Sequence, residues 1–262
     1  MHIVVLAKVV PDPEGPPSSY EVNPADKRVV ARGLPPVINP FDENALELAI
    51  RVKERIGGSV TLLSLGRNLS RAVILKAMAA GADASVLLED EAWDQALLDS
   101  RATATLLAAA LRKLEPFDLV LCGRQASDTN AGVVGLGVAR LLGIPAVTLA
   151  RSLEVEGGRV VVERVLSDGC EVVECDLPAL VTVSGEAGEL RYPSLQAIRA
   201  ARELPQRVLG PKELEGDVPP PWMETVCLEP PRRERRCRLV EADSPAEAGE
   251  KLALLLWEEG VI

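Results

Sequence analysis

The chain has 262 residues, 47% hydrophobic but only 3% aromatic, with a formal net charge of −10 and an isoelectric point near 4.9. That length suits one large domain, or one domain with an appended arm, and a core of Leu, Val and Ala suits helices packed on a parallel sheet better than a β-sandwich. An acidic chain repels phosphate backbones, which excludes nucleic acid as a partner unless a local basic patch overrides the balance; the one candidate, Arg232 to Arg238 in PRRERRCR, is short and lacks interleaved aromatics.

The opening MHIVVLAKVV is too short and too β-branched for a signal peptide, and no apolar run reaches the roughly 18 residues that span a bilayer, so a cytoplasmic chain with no membrane insertion is expected. Residues 2 to 10 read as a strand, followed by a Pro- and Gly-rich loop and a short hairpin around KRVVARGLPPVI. The segment VINPFDENALELAI then stops at Asn39-Pro40 and restarts with helical spacing. Pro disfavours helical geometry in the residue before it, and Asp42 suits the first free N–H groups of a helix, so a capped turn is one reading; a junction whose free N–H groups hold a ligand is the other. The helix runs from about Asp42 to Ile56 and stops at Gly57-Gly58. Next come a strand SVTLLSL, a helix RAVILKAMAAGA, a strand ASVLLED, a helix ATATLLAAALRKL, the strand DLVLCG, the loop RQASDTN and a helix GVVGLGVARLLG. This alternation predicts an α/β fold, a doubly wound and mostly parallel sheet with right-handed crossovers. Ligands of such sheets sit beyond the carboxyl ends of the strands, where Ala7-Lys8, Asn39, Ser64 to Gly66 and Gly123 to Asp128 fall.

After Pro145, VTLARSLEVEGG, RVVVERVLSDG, CEVVECD and LPALVTVSG read as successive strands of an antiparallel extension. From 203 the chain is rich in Pro, Glu and Arg and reads as an extended arm ending in the amphipathic helix SPAEAGEKLALLLWEEG, which divides the chain into a domain at 1–202 and an arm at 203–262. The five cysteines, Cys122, Cys170, Cys175, Cys227 and Cys237, are odd in number with no CxxC, so reduced buried thiols are expected rather than disulfides or zinc. The single histidine, His2, lacks the partners of a triad or metal site. There is no GxSxG, no Walker A and no GxGxxG after the first strand, and the glycines of GVVGLG lie in a helix, where close packing explains them. What remains is a nucleotide-sized site with amide-rich loops, no catalyst and no metal.

Six blocks in order, AKVVPDP, NPFDENALELA, LLSLG, CGRQASDTN, GRVVVER with LPALVTV, and LRYPSLQAIRAA, resemble the beta subunit of electron-transfer flavoprotein over nearly the whole chain. The resemblance implies an electron carrier rather than an enzyme, paired as a heterodimer with an alpha subunit that holds most of the FAD site. It also implies bound AMP, or a second FAD in electron-bifurcating members. Electrons would come from dehydrogenases such as the acyl-CoA dehydrogenases of fatty acid oxidation and pass to an acceptor such as a quinone oxidoreductase. Residue by residue, it implies AMP contacts at Leu6, at Asn39, Pro40, Phe41 and Asp42, at Leu65, and along Gly123, Arg124, Gln125, Ala126, Ser127, Asp128, Thr129, Asn130, Ala131, Gly132, Val133 and Val134. Phe41 falls where the family places an aromatic against the flavin. Leu195, after Arg191-Tyr192, matches a leucine that inserts into a partner dehydrogenase, whereas the residues alone allow Ser194 to cap a helix on which Leu195 and Ile198 share a core face. The chain departs from the family pattern in the phosphate loop, where Asn130 and Val133 replace an acidic residue and a Gln, at Asp168-Gly169, and in RAARELPQR, which replaces a lysine-rich stretch. A stand-alone adenine-nucleotide sensor is the alternative; a nicotinamide-dependent dehydrogenase is disfavoured by the missing Gly-rich turn.

Overall fold

The computed structural model describes residues 1–25, 27–94, 97, 99–214, 220–230 and 237–262. The strands are β1 (His2–Leu6), β2 (Val9–Val10), β3 (Tyr20–Asn23), β4 (Arg28–Ala31), β5 (Val37–Ile38), β6 (Ser59–Leu65), β7 (Ala84–Leu88), β8 (Leu119–Gly123), β9 (Ala146–Glu156), β10 (Arg159–Leu166), β11 (Gly169–Asp176), β12 (Ala179–Val183) and β13 (Gln206–Leu209). The helices are α1 (Pro40–Ile56), α2 (Arg71–Gly81), α3 (Ser100–Lys113), α4 (Val134–Leu142), α5 (Leu195–Ala200), α6 (Pro211–Leu214) and α7 (Pro245–Glu258). Contacts divide the chain into two units, Met1–Leu228 and Glu229–Ile262.

Nine strands form the main sheet in the order β11-β10-β9-β12-β8-β1-β6-β7-β13. Along the sheet from β9 to β13 every neighbouring pair is parallel, and β10 runs antiparallel to both β9 and β11. β1 lies between β6 and β8, so the winding reverses on it and its carboxyl end is the switch point. Successive side chains of β1 serve opposite faces. Ile3 and Val5 join the cluster made with α1 and α2, and Val4 and Leu6 join the one made with α3 and α4. Strands covered on both sides need no polar alternation, which is why these segments read as plain apolar runs.

The expected mostly parallel doubly wound sheet is present, and several local readings change. HIVVLAKVV breaks at Ala7-Lys8, where Val9–Val10 leave the sheet to pair with Val37–Ile38. The hairpin pairs Arg28–Ala31 with Tyr20–Asn23 rather than folding KRVVARGLPPVI on itself; Pro35-Pro36 offers no N–H donors for such pairing. LPALVTVSG is not part of the antiparallel extension: β12, buried at every residue, inserts in parallel between β8 and β9. The stretch read as an arm from 203 returns to the sheet at Gln206–Leu209, an edge strand parallel to β7. Only Cys122 is a buried thiol; Cys175 is half-buried, and Cys170, Cys227 and Cys237 are exposed, because β11 is an edge strand and the last two lie in the tail. Two of the GVVGLG glycines behave as read, since a Cβ at Gly135 would lie 2.6 Å from Cys122 Sγ and one at Gly137 3.0 Å from Ala104; Gly132 instead precedes α4, with left-handed backbone. Most of PRRERRCR lies outside the described residues. Among the described residues no helix is long and apolar enough to cross a membrane.

Candidate functional site

The junction at Asn39 and Asp42 explains itself once its partners are seen. α1 begins at Pro40 with Asn39 as its cap residue, yet the Asn39 side chain accepts no capping bond from the helix main chain. Its carboxamide reaches across instead, donating from Nδ2 to Gln125 O at 2.9 Å and accepting Ser127 N–H on Oδ1 at 3.0 Å. Asp42 likewise does not cap its own helix. Its carboxylate accepts Lys8 N–H at 2.8 Å and Gly123 N–H at 2.7 Å, joining the tips of β1 and β8. Both side chains are buried. Burial pushes the Asp42 carboxyl from 3.8 up to about 6, against the hydrogen bonds from Lys8 and Gly123. Burial and the Asp42 charge push the neighbouring Cys122 thiol upward as well.

These bonds shape a cradle over the switch point. Its floor is the main chain at Leu6 and Leu65, whose side chains point into the cluster made with α3. One wall is the loop from Gly123 to Val133, where Gly123 has no room for a side chain: a Cβ would lie 2.5 Å from Phe41 Cβ. Gln125 donates to Asn130 Oδ1 at 2.8 Å, and Asn130 and Gly132 take left-handed backbone at φ +51° and +66°. No side chain among the described residues caps α4, so its first-turn N–H groups are available to an anion. Lys8 Nζ closes across the mouth to Asp128 at 2.7 Å, and the Arg124 guanidinium lies 4.8 Å from the centre of the Phe41 ring. The Ser127 hydroxyl is shielded from solvent with no partner among the described residues. An orphaned hydroxyl, an uncapped helix start, two cations and the loop amides form a donor-rich cradle that suits a nucleotide phosphate. The cleft between α1 and β9, about 200 Å³, lies elsewhere and is lined by Leu48, Ile56 and arginines already paired, among others.

Residues 27–203 match the family model for the electron transfer flavoprotein domain. The chain belongs to the electron transfer flavoprotein family. It is 41% identical over 218 residues to the electron transfer flavoprotein subunit beta of Thermoanaerobacterium thermosaccharolyticum, covering 83% of this chain and 81% of that one. It is 37% identical to the caffeyl-CoA reductase-Etf complex subunit CarD of Acetobacterium woodii, covering 78% and 76%, and 32% identical to the protein FixA of Azotobacter vinelandii, covering 92% and 89%. Electron transfer flavoprotein beta subunits are electron carriers rather than enzymes, and that is the class of this chain. A beta subunit implies an alpha partner.

Within this electron transfer flavoprotein chain, the positions expected to contact AMP come together at one edge. Asn39 and Asp42 hold the cradle together, Pro40 is exposed beside them, and residues 128–133 form the exposed rim. Lys8 is the cradle residue that motif matching passed over, although its place at the end of β1 marks it. Leu195 lies on a separate segment. Ser194 does cap α5, accepting Ala197 N–H at 3.1 Å. Leu195 is 78% exposed, while Ile198 packs against the core, so the two do not share a buried face.

Proposed function

We propose that this chain binds an adenine nucleotide, most simply AMP, in the cradle, and pairs with an alpha subunit that holds FAD, forming a complex that takes electrons from dehydrogenases and passes them to a downstream acceptor. The supporting observation is that the Asn39 and Asp42 side chains are fully engaged in tying Lys8, Gly123, Gln125 and Ser127 together. What the site offers a ligand is therefore main chain at Leu6 and Leu65, the loop amides, the α4 start and the Ser127 hydroxyl. Main chain can read an adenine edge whatever the side chain, and the loop and helix start suit a phosphate. Bound FAD supplies the electron chemistry. This chain's part is to order the subunit edge and to offer the half-buried Phe41 ring, with Arg124 over it, as an aromatic contact. Leu195 and Tyr192, both exposed, are the proposed contact with the donor dehydrogenase, and the unit from Glu229 onward, whose α7 buries none of its residues, is the proposed contact with alpha.

A second FAD in place of AMP is the other occupant of this cradle, favoured by Asn130 and Val133 in a loop whose family pattern differs there. Mass spectrometry of the nucleotide released from the purified heterodimer decides between them. One AMP per complex beside the alpha-bound FAD is expected. Two FAD per complex supports the second occupant, and no nucleotide beyond one FAD refutes the cradle as a nucleotide site.

A further inference from the structure

Beyond its start, α1 grips a second part of the molecule. Asn44, Glu47, Arg51 and Glu54 recur at intervals of three and four and so share one face of the helix. Asn44 Nδ2 donates to Gly188 O at 2.5 Å, and Arg51 Nη1 to Ala187 O at 3.4 Å. Gly188 has φ +101°, a conformation that favours glycine, and a Cβ there would lie 3.4 Å from Arg51 Nη2. Glu47, with only 5% of its side chain exposed, accepts from Arg191 N and Nε at 3.1 Å each, from Arg191 Nη2 at 3.0 Å and from Arg51 Nε at 2.9 Å. Arg191 also forks onto Glu54. Burial works against the Glu47 charge, and the bonds from Arg191 and Arg51 outweigh it, holding the carboxyl below its ordinary range.

The next residue along the chain is Tyr192, 91% exposed. Lys76 of α2 lies 5.6 Å from the centre of its ring. The chain thus passes in one step from an arginine held through main chain and side chain by a buried carboxylate to an exposed aromatic, with Leu195 three residues on. We infer that Glu47 is a positioning residue for docking: with Asn44, Arg51 and Glu54 it fixes Arg191 so that Tyr192 and Leu195 stand out in the shape a donor protein engages. This inference rests on the docking reading of Leu195 given above. A buried ion pair contributes little net stability compared with apolar packing, whereas several charge-assisted bonds to one carboxylate fix geometry closely.

The test uses the purified alpha–beta complex carrying Glu47→Gln, which keeps size and removes charge. Hydrogen exchange is followed over 189–200, with 120–134 as internal reference. In parallel, a purified acyl-CoA dehydrogenase with its acyl-CoA substrate is the electron donor. Exchange over 189–200 is expected to quicken at least about tenfold while the reference stays put. KM for the complex is expected to rise at least about fivefold with kcat within about twofold, and Leu195→Ala is expected to add little on top of Glu47→Gln. Arg191→Lys keeps a cation but loses the fork, and gives the same pattern in smaller measure should the Gln variant fail to assemble. Unchanged exchange over 189–200, or faster exchange with unchanged KM, overturns the inference. A Leu195→Ala complex reduced as fast as wild type, or a wild-type complex that this dehydrogenase cannot reduce, overturns the docking reading itself and the inference with it.

Discussion

Replacing Asp42 by asparagine removes a buried charge from between two strand tips, and the structure gives the sign and size of the effect. The carboxyl rises from 3.8 to about 6, chiefly through burial. The unfolded chain releases this proton near the ordinary value, so between about pH 4 and pH 6 the folded chain holds a proton that the unfolded chain has lost. The group's contribution to stability is therefore full at the acid end and is lost as pH climbs through the window. A rise of this size corresponds to about 3 kcal/mol. At acid pH the protonated carboxyl and the carboxamide of the Asp42→Asn variant each keep one acceptor oxygen free of hydrogen for the two backbone N–H groups, so the two proteins should differ there by less than about 1 kcal/mol. Toward pH 7 the variant should become the more stable, by up to about 3 kcal/mol, because wild type has lost its own contribution. Glu47 and Asp99 shift downward, their hydrogen bonds outweighing burial, and Glu43 shifts upward through burial. The slope of either protein alone thus mixes both signs, and the difference between the two is the informative quantity. Urea denaturation followed by far-UV circular dichroism at about pH 4, 5, 6 and 7 spans the window and measures it. A wild-type-minus-variant difference that stays flat across this range would refute the assignment of that proton to Asp42.

Leu195→Ala removes an exposed side chain and should change stability by less than about 0.5 kcal/mol, while electron transfer from a donor dehydrogenase falls at least about tenfold, or about 1.4 kcal/mol of docking energy. Melting temperature measured beside dehydrogenase-coupled flavin reduction separates the two effects, and a destabilised variant with normal docking contradicts the anchor. Deleting 229–262 should leave the circular dichroism and melting of the larger unit in place and abolish co-purification with alpha; stoichiometric co-purification of the shortened chain contradicts this. A cut at 205 is a different experiment, because it also strips β13 from β7 and bares an edge that invites aggregation.

The order of elements was legible because each crossover is local: an apolar run, a Gly or Asn turn, then an amphipathic helix. The position of β12 was not, since ALVTV is equally apolar whether it follows its sequence neighbour or crosses back between β8 and β9. QRVL was missed for a related reason, being four residues after a proline in a stretch of charged composition. At the site, local reasoning found the importance of Asn39 and Asp42 and misassigned their partners. It supplied the helix N–H groups nearest in sequence, whereas the bonds run to residues more than thirty or eighty positions away. The stripe at 44, 47, 51 and 54 was hidden the same way, because polar residues at helical spacing look like a solvated face until the segment covering them is known. At Leu195 the core reading fails on exposure, which depends on how the whole segment lies on the molecule and not on the local letters.

The way the loop from Gly123 to Val133 is held has a consequence for how such a chain changes over time. Asn39 and Asp42 fasten Gly123, Gln125 and Ser127 through main-chain atoms that every amino acid possesses, proline excepted at the two donor positions. Substitution on the exposed rim, at Val133 for example, therefore changes the surface of the loop without loosening those bonds. Under the proposed nucleotide reading, a lineage can retune the occupant by single replacements there while each intermediate still folds. The same latitude does not extend to Asn39, Asp42 or Gly123, where a replacement dismantles the mount before any new preference can be tried.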